Sequence, residues 1–317
     1  MSELRPGLSI VIPVYNSAPI LPELVTRLEP VLEALDLPHE LILINDCSPD
    51  SSWDVVQSLA ADRPWVRGVD LMRNYGQHNA LLAGVRLAHY EIIVTMDDDL
   101  QHPPEEIPRL LAVLDQGYDV VYGPPQEEQH GLWRDLASQT TKLALKMAMG
   151  VDVARHVSAF RAFRTQVREA FATYGGPYVS IDVLLSWGTA RFGVAPVRHD
   201  ARAVGKSNYT FRKLARHAIN MITGFSTVPL RIASYMGFAF TLFGMAVLAF
   251  VLIRFLIGGA VVQGFAFTAS TIAIFSGAQL FALGIIGEYF ARMYLRVMDR
   301  PTYTIRGTVG PGSEGER

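Results

Sequence analysis

The sequence predicts an α/β fold: a mostly parallel sheet covered by helices on both faces, followed by an apolar helical hairpin. Two observations predict this. Over the first 123 residues, short apolar runs alternate with longer segments of helical periodicity, which is typical of parallel sheets buried on both faces. Further on, residues 232–253 and 265–287 carry no charge, and each span has about the 20 residues that a bilayer core requires.

Five short apolar runs are predicted as the strands of the sheet, and the segments between them as helices. The strands are expected at residues 8–14, 40–45, 66–71, 92–96 and 119–122. The helices are expected at residues 20–35, 52–61, 78–88 and 104–116. Because the runs are apolar almost throughout, the helices are expected to cover both faces of the sheet.

Polar motifs follow three of the predicted strands at their carboxyl ends. They are residues 45–48 (NDCS), 73–78 (RNYGQH) and 97–99 (DDD). In open α/β sheets the ligand sits at that edge, so the motifs predict an active site there. No GxGxxG or GxxxxGK[ST] motif follows the first strand, which argues against a Rossmann dinucleotide site and a P-loop.

The run Asp97-Asp98-Asp99 directly follows a predicted strand. Alternate residues of an extended segment point the same way, so Asp97 and Asp99 are placed to share one hard cation. Asp98 points the other way and is expected to be the most replaceable of the three. For an isolated acidic run, a solvated turn is the alternative interpretation.

Charge is distributed unevenly along the chain. The formal net charge is −2, but residues 1–201 carry 16 basic and 26 acidic side chains, whereas residues 202–317 carry 12 and 4. The acidic part argues against nucleic acid as the main partner, because phosphate backbones are bound by dense Lys and Arg. The single cysteine, Cys47, rules out an internal disulfide and fits a reducing compartment.

Basic residues flank the apolar hairpin on both sides. They are Arg212, Lys213, Arg216 and Arg231 before it and Arg292, Arg296 and Arg300 after it. The connection, residues 258–264, is uncharged, so the positive-inside rule predicts that the catalytic domain and both termini are cytoplasmic. The predicted organisation is a cytoplasmic domain (1–209), an amphipathic juxtamembrane helix (210–228), a transmembrane hairpin (229–291, spans about 232–257 and 265–288) and a cytoplasmic tail (292–317). An ordinary surface helix is the alternative for residues 210–225.

Five motifs in order resemble the family 2 glycosyltransferases of the polyprenyl-phosphate type. They are residues 12–16 (IPVYN), 45–48 (NDCS), 73–76 (RNYG), 97–101 (DDDLQ) and 202–207 (RAVGKS). This family includes dolichol-phosphate mannose synthases, bactoprenol glucosyltransferases and undecaprenyl-phosphate 4-deoxy-4-formamido-L-arabinose transferases. The last subgroup shares further motifs, at residues 103–109 (PPEEIPR), 161–164 (RAFR) and 227–231 (TVPLR). The resemblance covers residues 8–303 and implies a GT-A-like fold.

The resemblance implies roles for named residues. Asp97 and Asp99, supported by Gln101, would hold Mg²⁺ or Mn²⁺, and Asp97, Asp99 and Arg202 would be catalytic. The nucleotide sugar would contact Pro13, Tyr15, Asn16, Asp46, Ser48, Asn74, Gln77, Asp97 and Lys206. The acceptor phosphate would contact Arg161, Arg164, Arg202, Lys206 and Ser207. An anionic acceptor needs no general base, so a helix-cap or surface role is favoured for Asp182.

The sequence departs from the pattern of the family in four places. Asn45 and Cys47 stand where the family usually has Asp and Gly, and His102 stands where Asp or Asn is common; for His102 a structural role is at least as well supported as a polar contact. Residues 206–209 read Lys-Ser-Asn-Tyr where Ser-Lys-Tyr is common. Loss of glycine at position 47 bears on the loop geometry, because glycine tolerates positive φ.

The predicted reaction is transfer of one sugar from a nucleotide diphosphate, by resemblance UDP, to undecaprenyl phosphate at the inner leaflet, with inversion. The predicted partners are that donor, that acceptor, the lipid bilayer of the inner membrane and further copies of the chain in a tetramer. GDP as the donor nucleotide and other sugars stay open. So do a non-catalytic membrane scaffold with this fold and a glycosyltransferase that is processive or directed at protein.

Overall fold

The structure, a computed structural model, describes residues 5–126, 149, 156–176, 178–200, 223, 225–258 and 264–311. Eight strands in these residues form one sheet. The strands are β1 (Arg5–Val14), β2 (His39–Asn45), β3 (Val66–Leu71), β4 (Tyr90–Thr95), β5 (Val120–Tyr122), β6 (Arg161–Arg164), β7 (Phe192–Val194) and β8 (Ile305–Val309). Their order across the sheet is β7-β5-β6-β4-β1-β2-β3-β8.

The centre of the sheet is parallel. Strand β1 pairs in parallel with β2 and β4, and β2 pairs in parallel with β3. Strand β6 runs antiparallel between β4 and β5, and β8 runs antiparallel to β3. Because the four central strands are parallel, their carboxyl ends meet at one edge of the sheet, and the loops after β1, β2, β3 and β4 lie together there.

Helices cover both faces of the sheet, as the sequence predicted. These helices are α1 (Leu21–Ala34), α2 (Ser52–Asp62), α3 (Gln77–Leu87), α4 (Ile107–Leu114) and α5 (Ile181–Gly188). Helices α1, α2 and α4 pack with Ile10 and Ile12 of β1 on one face. Helices α3 and α5 pack with Val11 on the other face. Successive side chains of a strand point to opposite faces, so β1 contributes to both cores.

Two antiparallel strands depart from the sequence-based expectation. Strands β6 (RAFR) and β8 (IRGTV) are short and carry charged residues, so neither forms the continuous apolar run that predicted the central strands. Strand β8 lies in the tail that follows the hairpin. In the structure it pairs with β3 of its own chain, with Val69 opposite Thr308.

Two long apolar helices form the hairpin: α6 (Val228–Gly258) and α7 (Phe265–Val297). They contain 31 and 33 residues, which corresponds to lengths of about 46 and 50 Å. Both are long and apolar enough to cross a membrane, and the most apolar window of each is not buried in the protein. This exposure argues against buried core helices. The predicted amphipathic helix over 210–228 lies largely outside the described residues.

The end of the hairpin nearest the α/β domain contacts that domain. The Tyr289 hydroxyl donates to the carbonyl oxygen of Ser226 at 2.5 Å, which joins α7 to the segment before α6. The guanidinium of Arg292 lies 4.4 Å from the ring centroid of Tyr178 in the domain. Arg292 also pairs with Glu288 on its own helix at 2.5 Å, the structural pair expected from their spacing of four residues.

Candidate active site

A cavity of about 250 Å³ opens at the carboxyl edge of the central strands. Its walls come from the ends of β1, β2 and β4 and from the start of α3. The lining residues are Pro13, Val14, Tyr15, Asp46, Asn74, Gly76, Gln77, Asp97, Asp98 and Asp99. The cavity therefore brings together seven of the residues that the sequence predicted for the donor and the metal, from four separate segments of the chain.

The acidic turn after β4 provides one wall of this cavity. Asp97 accepts a hydrogen bond from the side-chain amide of Gln77 at 2.6 Å. Asp99 is 8% exposed and accepts one from the backbone N–H of Gln101 at 3.1 Å. Leu100, between Asp99 and Gln101, has φ 58°, which turns the chain sharply away from the strand. The result is a compact turn whose carboxylates face a cavity rather than open solvent.

Asp98 differs from its sequence-based expectation. It lines the same cavity, and its carboxylate accepts hydrogen bonds from the hydroxyl of Ser17 at 2.5 Å and the backbone N–H of Tyr15 at 3.3 Å. Burial raises the pKa of Asp98, and these two bonds lower it by less. The strand ends at Thr95, so the alternation that predicted an outward-pointing Asp98 does not extend through the turn.

Asp46 is buried in the floor of the cavity. Its two carboxylate oxygens each accept a backbone N–H, from Tyr75 and Gly76, both at 2.7 Å. Burial raises the pKa of Asp46, and these two bonds oppose that rise. Asp46 thus holds the start of α3 against β2. Cys47 follows with φ 53°, so the loop keeps the left-handed conformation that favours glycine, at some cost in strain.

Asp70 lies beside Asn45, the position where the family usually has Asp. Asn45 donates its side-chain amide to Asp70 on the neighbouring strand at 2.6 Å. Asp70 is 3% exposed, and it pairs with Arg306 of β8 at 3.0 Å. Sequence reasoning missed both Asp70 and Arg306, because they come from β3 and from the end of the chain. Arg306 also lies 3.8 Å from the thiol of Cys47.

The structure contradicts the expectation that Arg161 faces an acceptor. Arg161 is 1% exposed; its guanidinium donates to Thr95 at 2.9 Å and pairs with Asp182. Asp182 is 4% exposed and lies in the first turn of α5, so it is neither a surface residue nor the N-cap. The two form a buried ion pair, because β6 lies inside the sheet and α5 packs over it.

Arg164 lies at the wrong edge of the sheet for the predicted role. It pairs with Ile92 near the start of β4, whereas Arg161 pairs with Thr95 at the end. Because β6 runs antiparallel to β4, its last residue is carried toward the amino edge, about 10 Å from Thr95. Arg164 therefore lies away from the acidic turn. The spacing of the RAFR motif could not reveal this without the strand direction.

His102 has the structural role that the sequence left open. It is 8% exposed and packs between Phe160 and His199, with ring centroids 5.5 and 5.0 Å away. Burial, then the neighbouring His199, lowers the pKa of His102 to about 4. The imidazole is therefore neutral near pH 7 and supports the base of the acidic turn by packing.

The remaining predicted residues divide into two sets. Asn16 and Ser48 lie beside the cavity, where the backbone N–H of Asn16 donates to the hydroxyl of Ser48 at 3.1 Å. Arg202, Lys206 and Ser207 lie outside the described residues. Within the described parts of the chain, no three His, Cys, Asp or Glu side chains are grouped so as to hold a metal ion by themselves.

Comparisons with known proteins identify the family of the chain. The profile of the family described as glycosyl transferase family 2 matches residues 9–173. The undecaprenyl-phosphate 4-deoxy-4-formamido-L-arabinose transferase of Pseudomonas syringae pv. syringae (strain B728a) is 37% identical over 309 residues, covering 96% of this chain and 91% of that protein. The transferase of the same name from Yersinia enterocolitica is 37% identical, covering 98% and 95%.

Solved structures share the fold. Mannosyl-3-phosphoglycerate synthase from Rubrobacter xylanophilus superposes with a TM-score of 0.51 at 17% identity, covering 72% of this chain and 75% of that chain. Glucosyl-3-phosphoglycerate synthase from Mycobacterium tuberculosis, in complex with Mn²⁺ and UDP-glucose, gives 0.51 at 16% identity, covering 69% and 77%. These likenesses confirm the predicted GT-A-like architecture. With the family profile and the relatives similar over nearly their whole length, they place the chain in glycosyl transferase family 2.

Proposed function

We propose that this glycosyltransferase moves a single sugar from a UDP-linked donor to undecaprenyl phosphate at the cytoplasmic face of the inner membrane. The observation that carries the proposal is the similarity to the undecaprenyl-phosphate transferases over 96% of the chain, which includes the hairpin as well as the catalytic domain. A soluble sugar acceptor would not require two apolar helices. A lipid acceptor does, because each CH₂ brought out of the bilayer costs about 0.8 kcal/mol.

The residues of the acidic turn fit a divalent cation. Asp97 and Asp99 line the cavity with carboxylate oxygens, the ligands that Mg²⁺ and Mn²⁺ prefer. Mg²⁺ is commonly bound by one or two carboxylates together with substrate phosphates, which agrees with the lack of a larger ligand cluster in the described residues. A bound cation would act as a Lewis acid on the diphosphate. Gln101 is proposed as a third ligand of the cation. The cation is proposed to be Mg²⁺ or Mn²⁺.

The chain's own residues orient the donor. Pro13 and Tyr15 form the wall on the side of β1, and Asn74 and Gln77 form the wall on the side of α3. With the nucleotide between these walls, the diphosphate is directed toward Asp97 and Asp99. Asp46 acts on the donor indirectly, through the backbone of Tyr75 and Gly76 that it holds.

The reaction is a direct displacement. A phosphate oxygen of the acceptor attacks the anomeric carbon of the sugar, the bond from that carbon to the donor diphosphate breaks, and UDP leaves with the electron pair. The configuration at that carbon inverts. The acceptor is already an anion near neutral pH, so no side chain has to remove a proton. Arg202, Lys206 and Ser207 are proposed to hold the acceptor phosphate, and Arg202 to assist the displacement, since guanidinium groups match phosphate oxygens in pairs.

The hairpin is proposed to fix the site at the membrane surface. By the positive-inside rule, the basic residues on both sides of it support the proposal of a cytoplasmic location for the catalytic domain and both termini. Assembly into a tetramer is part of the same proposal, by resemblance to the family. The sugar named for the relatives, 4-deoxy-4-formamido-L-arabinose, is the first candidate for the transferred group.

The test is transfer by the purified full-length chain in lipid nanodiscs containing undecaprenyl phosphate. Donors to be compared are UDP-4-deoxy-4-formamido-L-arabinose, UDP-glucose and GDP-mannose, each with Mn²⁺, Mg²⁺ or EDTA. We expect one glycolipid product carrying one sugar, formed from a UDP donor and abolished by EDTA. The product and its anomeric configuration are read by mass spectrometry and NMR.

Asp99→Asn is the matched control, because it removes one charge at the site and keeps the side-chain size. Consumption of no donor by the wild-type protein would contradict the proposal and favour the scaffold. Equal turnover by wild type and Asp99→Asn would contradict the assignment of the site. Several sugars on one product, or a labelled protein, would identify a processive or protein-directed transferase instead.

A further inference from the structure

The loop between β1 and α1 is held by side chains. Its four successive backbone N–H groups, from Tyr15 to Ala18, all donate to side-chain oxygens. The acceptors are Asp98, Ser48, Ser52 and Asp50, in that order, at 3.3, 3.1, 2.9 and 3.1 Å. Asn16, within the loop, has φ 59°. The conformation of this loop therefore depends on the residues that accept from it.

These four acceptors come from two places. Three of them, Ser48, Asp50 and Ser52, lie in the segment after β2. Asp98 alone of the four belongs to the turn that carries Asp97 and Asp99. It therefore joins the loop that provides Tyr15 to the turn that provides the two predicted metal ligands.

Asp98 accepts two hydrogen bonds from this loop, and the donor of one of them, Ser17, is buried. Ser17 is 5% exposed, and its hydroxyl oxygen lies 2.5 Å from the Asp98 carboxylate and 3.1 Å from the carbonyl oxygen of Tyr15. The shorter contact, to the charged acceptor, is the one that takes the hydroxyl proton, because hydrogen bonds to carboxylates are shorter and stronger. A second bond to the same carboxylate comes from the N–H of Tyr15.

We propose that Asp98 is a positioning residue for donor binding. It fixes the Tyr15–Ser17 loop against the acidic turn, so that Tyr15, on the nucleotide side of the cavity, keeps a constant distance from Asp97 and Asp99, on the diphosphate side. This proposal rests on the proposed function. Asp98 holds the loop and acts on the donor through Tyr15. Donor affinity is then expected to depend on Asp98, whereas the rate of the bound complex depends on Asp97 and Asp99.

The experiment measures kcat, the donor KM and the Kd for UDP in the full-length protein with Mn²⁺ present, the last by calorimetry. Asp98→Ala is expected to raise KM and Kd roughly tenfold, the cost of one hydrogen bond to a charged group, with kcat within about threefold of wild type. Asp98→Asn keeps one acceptor oxygen and is expected to recover most of the affinity. Asp62→Ala, at an exposed carboxylate on α2, is the control expected to match wild type.

Ser17→Ala removes the same contact from the other partner. Because both variants break one interaction, the double variant Ser17→Ala/Asp98→Ala is expected to be no weaker than Asp98→Ala alone. Full additivity would overturn the proposal, as would wild-type KM and Kd in Asp98→Ala. A fall in kcat at unchanged KM would overturn it in favour of a direct catalytic role. Melting temperatures identify a variant that fails to fold. If Asp98→Ala fails to fold, the KM and Kd of Asp98→Asn decide whether the positioning role holds.

Failure of this proposal can be told apart from failure of the proposed function. If the wild-type protein transfers sugar while Asp98→Ala binds UDP normally, only the positioning role is wrong. If the wild-type protein transfers no sugar but binds UDP, the proposed function is wrong and the Kd values still test Asp98. If it neither transfers sugar nor binds UDP, both proposals are wrong.

Discussion

Two charged groups lie side by side at the end of β4, and they have opposite environments. Arg161 and Asp182 form a pair that is almost completely buried, and Arg161 contacts Thr95, the last residue of the strand. Asp97 and Asp99 follow two and four residues later and line an open cavity. In the sequence, both groups are polar residues beside apolar runs. In the structure, Arg161 and Asp182 pair with each other in the interior, whereas Asp97 and Asp99 line the cavity.

The difference shows what identifies a functional charge in this fold. A buried ion pair contributes little net stability compared with an apolar pair of the same size, but breaking it leaves an uncompensated charge. A carboxylate facing a cavity gains from a cation or ligand and contributes little to folding. Substitutions should therefore separate the two groups: one affects stability and the other affects activity.

The largest effect is expected from Arg161→Met. The variant leaves Asp182 buried without its partner, and the free energy of unfolding should fall by about 3–5 kcal/mol. The double variant Arg161→Met/Asp182→Leu removes both charges and should recover most of that loss. Urea unfolding of the full-length protein in detergent, followed by tryptophan fluorescence, measures both. If the double variant is as unstable as the single one, the pair is not the source of the loss.

The next effect concerns activity. Asp97→Asn and Asp99→Asn should each lower kcat by roughly 10²–10³-fold, the usual cost of removing one group that stabilises developing charge. The melting temperature should stay close to wild type, because neither carboxylate supports the core. Transfer assays and melting curves on the same preparations test this. A large drop in melting temperature with little loss of kcat would reverse the comparison between the two groups.

A third variant adds a charge at Asn45, and its expected effect is smaller than the two above. Asn45→Asp places a second carboxylate next to buried Asp70, where the amide now donates at 2.6 Å. Repulsion should cost about 1–3 kcal/mol of stability, or one of the two should take up a proton. Adding Asp70→Asn restores a single negative charge on the opposite strand and should restore stability. If adding Asp70→Asn does not restore stability, repulsion between the two carboxylates is not the cause of the loss.

The smallest effect is expected at the pair formed by Arg191, which is exposed, and Asp119, with N–O distances of 2.7 and 2.9 Å. The hydrogen bonds from Arg191 hold the pKa of Asp119 below its usual value of 3.8. A lowered pKa gives stability above the unfolded pKa, which is lost as the pH falls through the folded one. Arg191→Ala should therefore have a lower melting temperature than wild type at pH 7, and the gap should close below pH 3.8.

Arg109→Ala is the control for this pH series, since Arg109 is exposed and its pair with Glu106 is longer, 3.8 Å. Its melting temperature should follow wild type across the series. A gap for Arg191→Ala that stays constant with pH would show that lost packing, rather than charge, is responsible.

Much of the fold was predictable because its central strands are apolar on both faces. Strands β1 to β5 and helices α1 to α4 lie within three residues of the expected bounds. Strands β6 and β8 were missed because RAFR and IRGTV lack that apolar pattern. Motif order correctly indicated the family, but the environment of Arg161 depends on helix α5, which comes from a distant part of the chain.

The candidate site shows the same limit. Asp97 and Asp99 were predicted by their spacing, and the structure places both at the cavity. Asp98 was expected to be replaceable because strand alternation was extended past Thr95, where the strand ends. Asp70 could not be found from local pattern, since its partners Asn45 and Arg306 lie 25 and 236 residues away.

Strand β8 has a consequence for how the domain can move. Because α7 ends at Val297 and β8 begins at Ile305, the polypeptide returns to the sheet directly after the hairpin. The hairpin is thus an insertion within one domain, and the domain is tethered to the bilayer at two points. Two tethers restrict rocking and rotation about a single linker. A truncation that removes the hairpin also removes β8, and it uncovers β3 as a new edge open to intermolecular pairing.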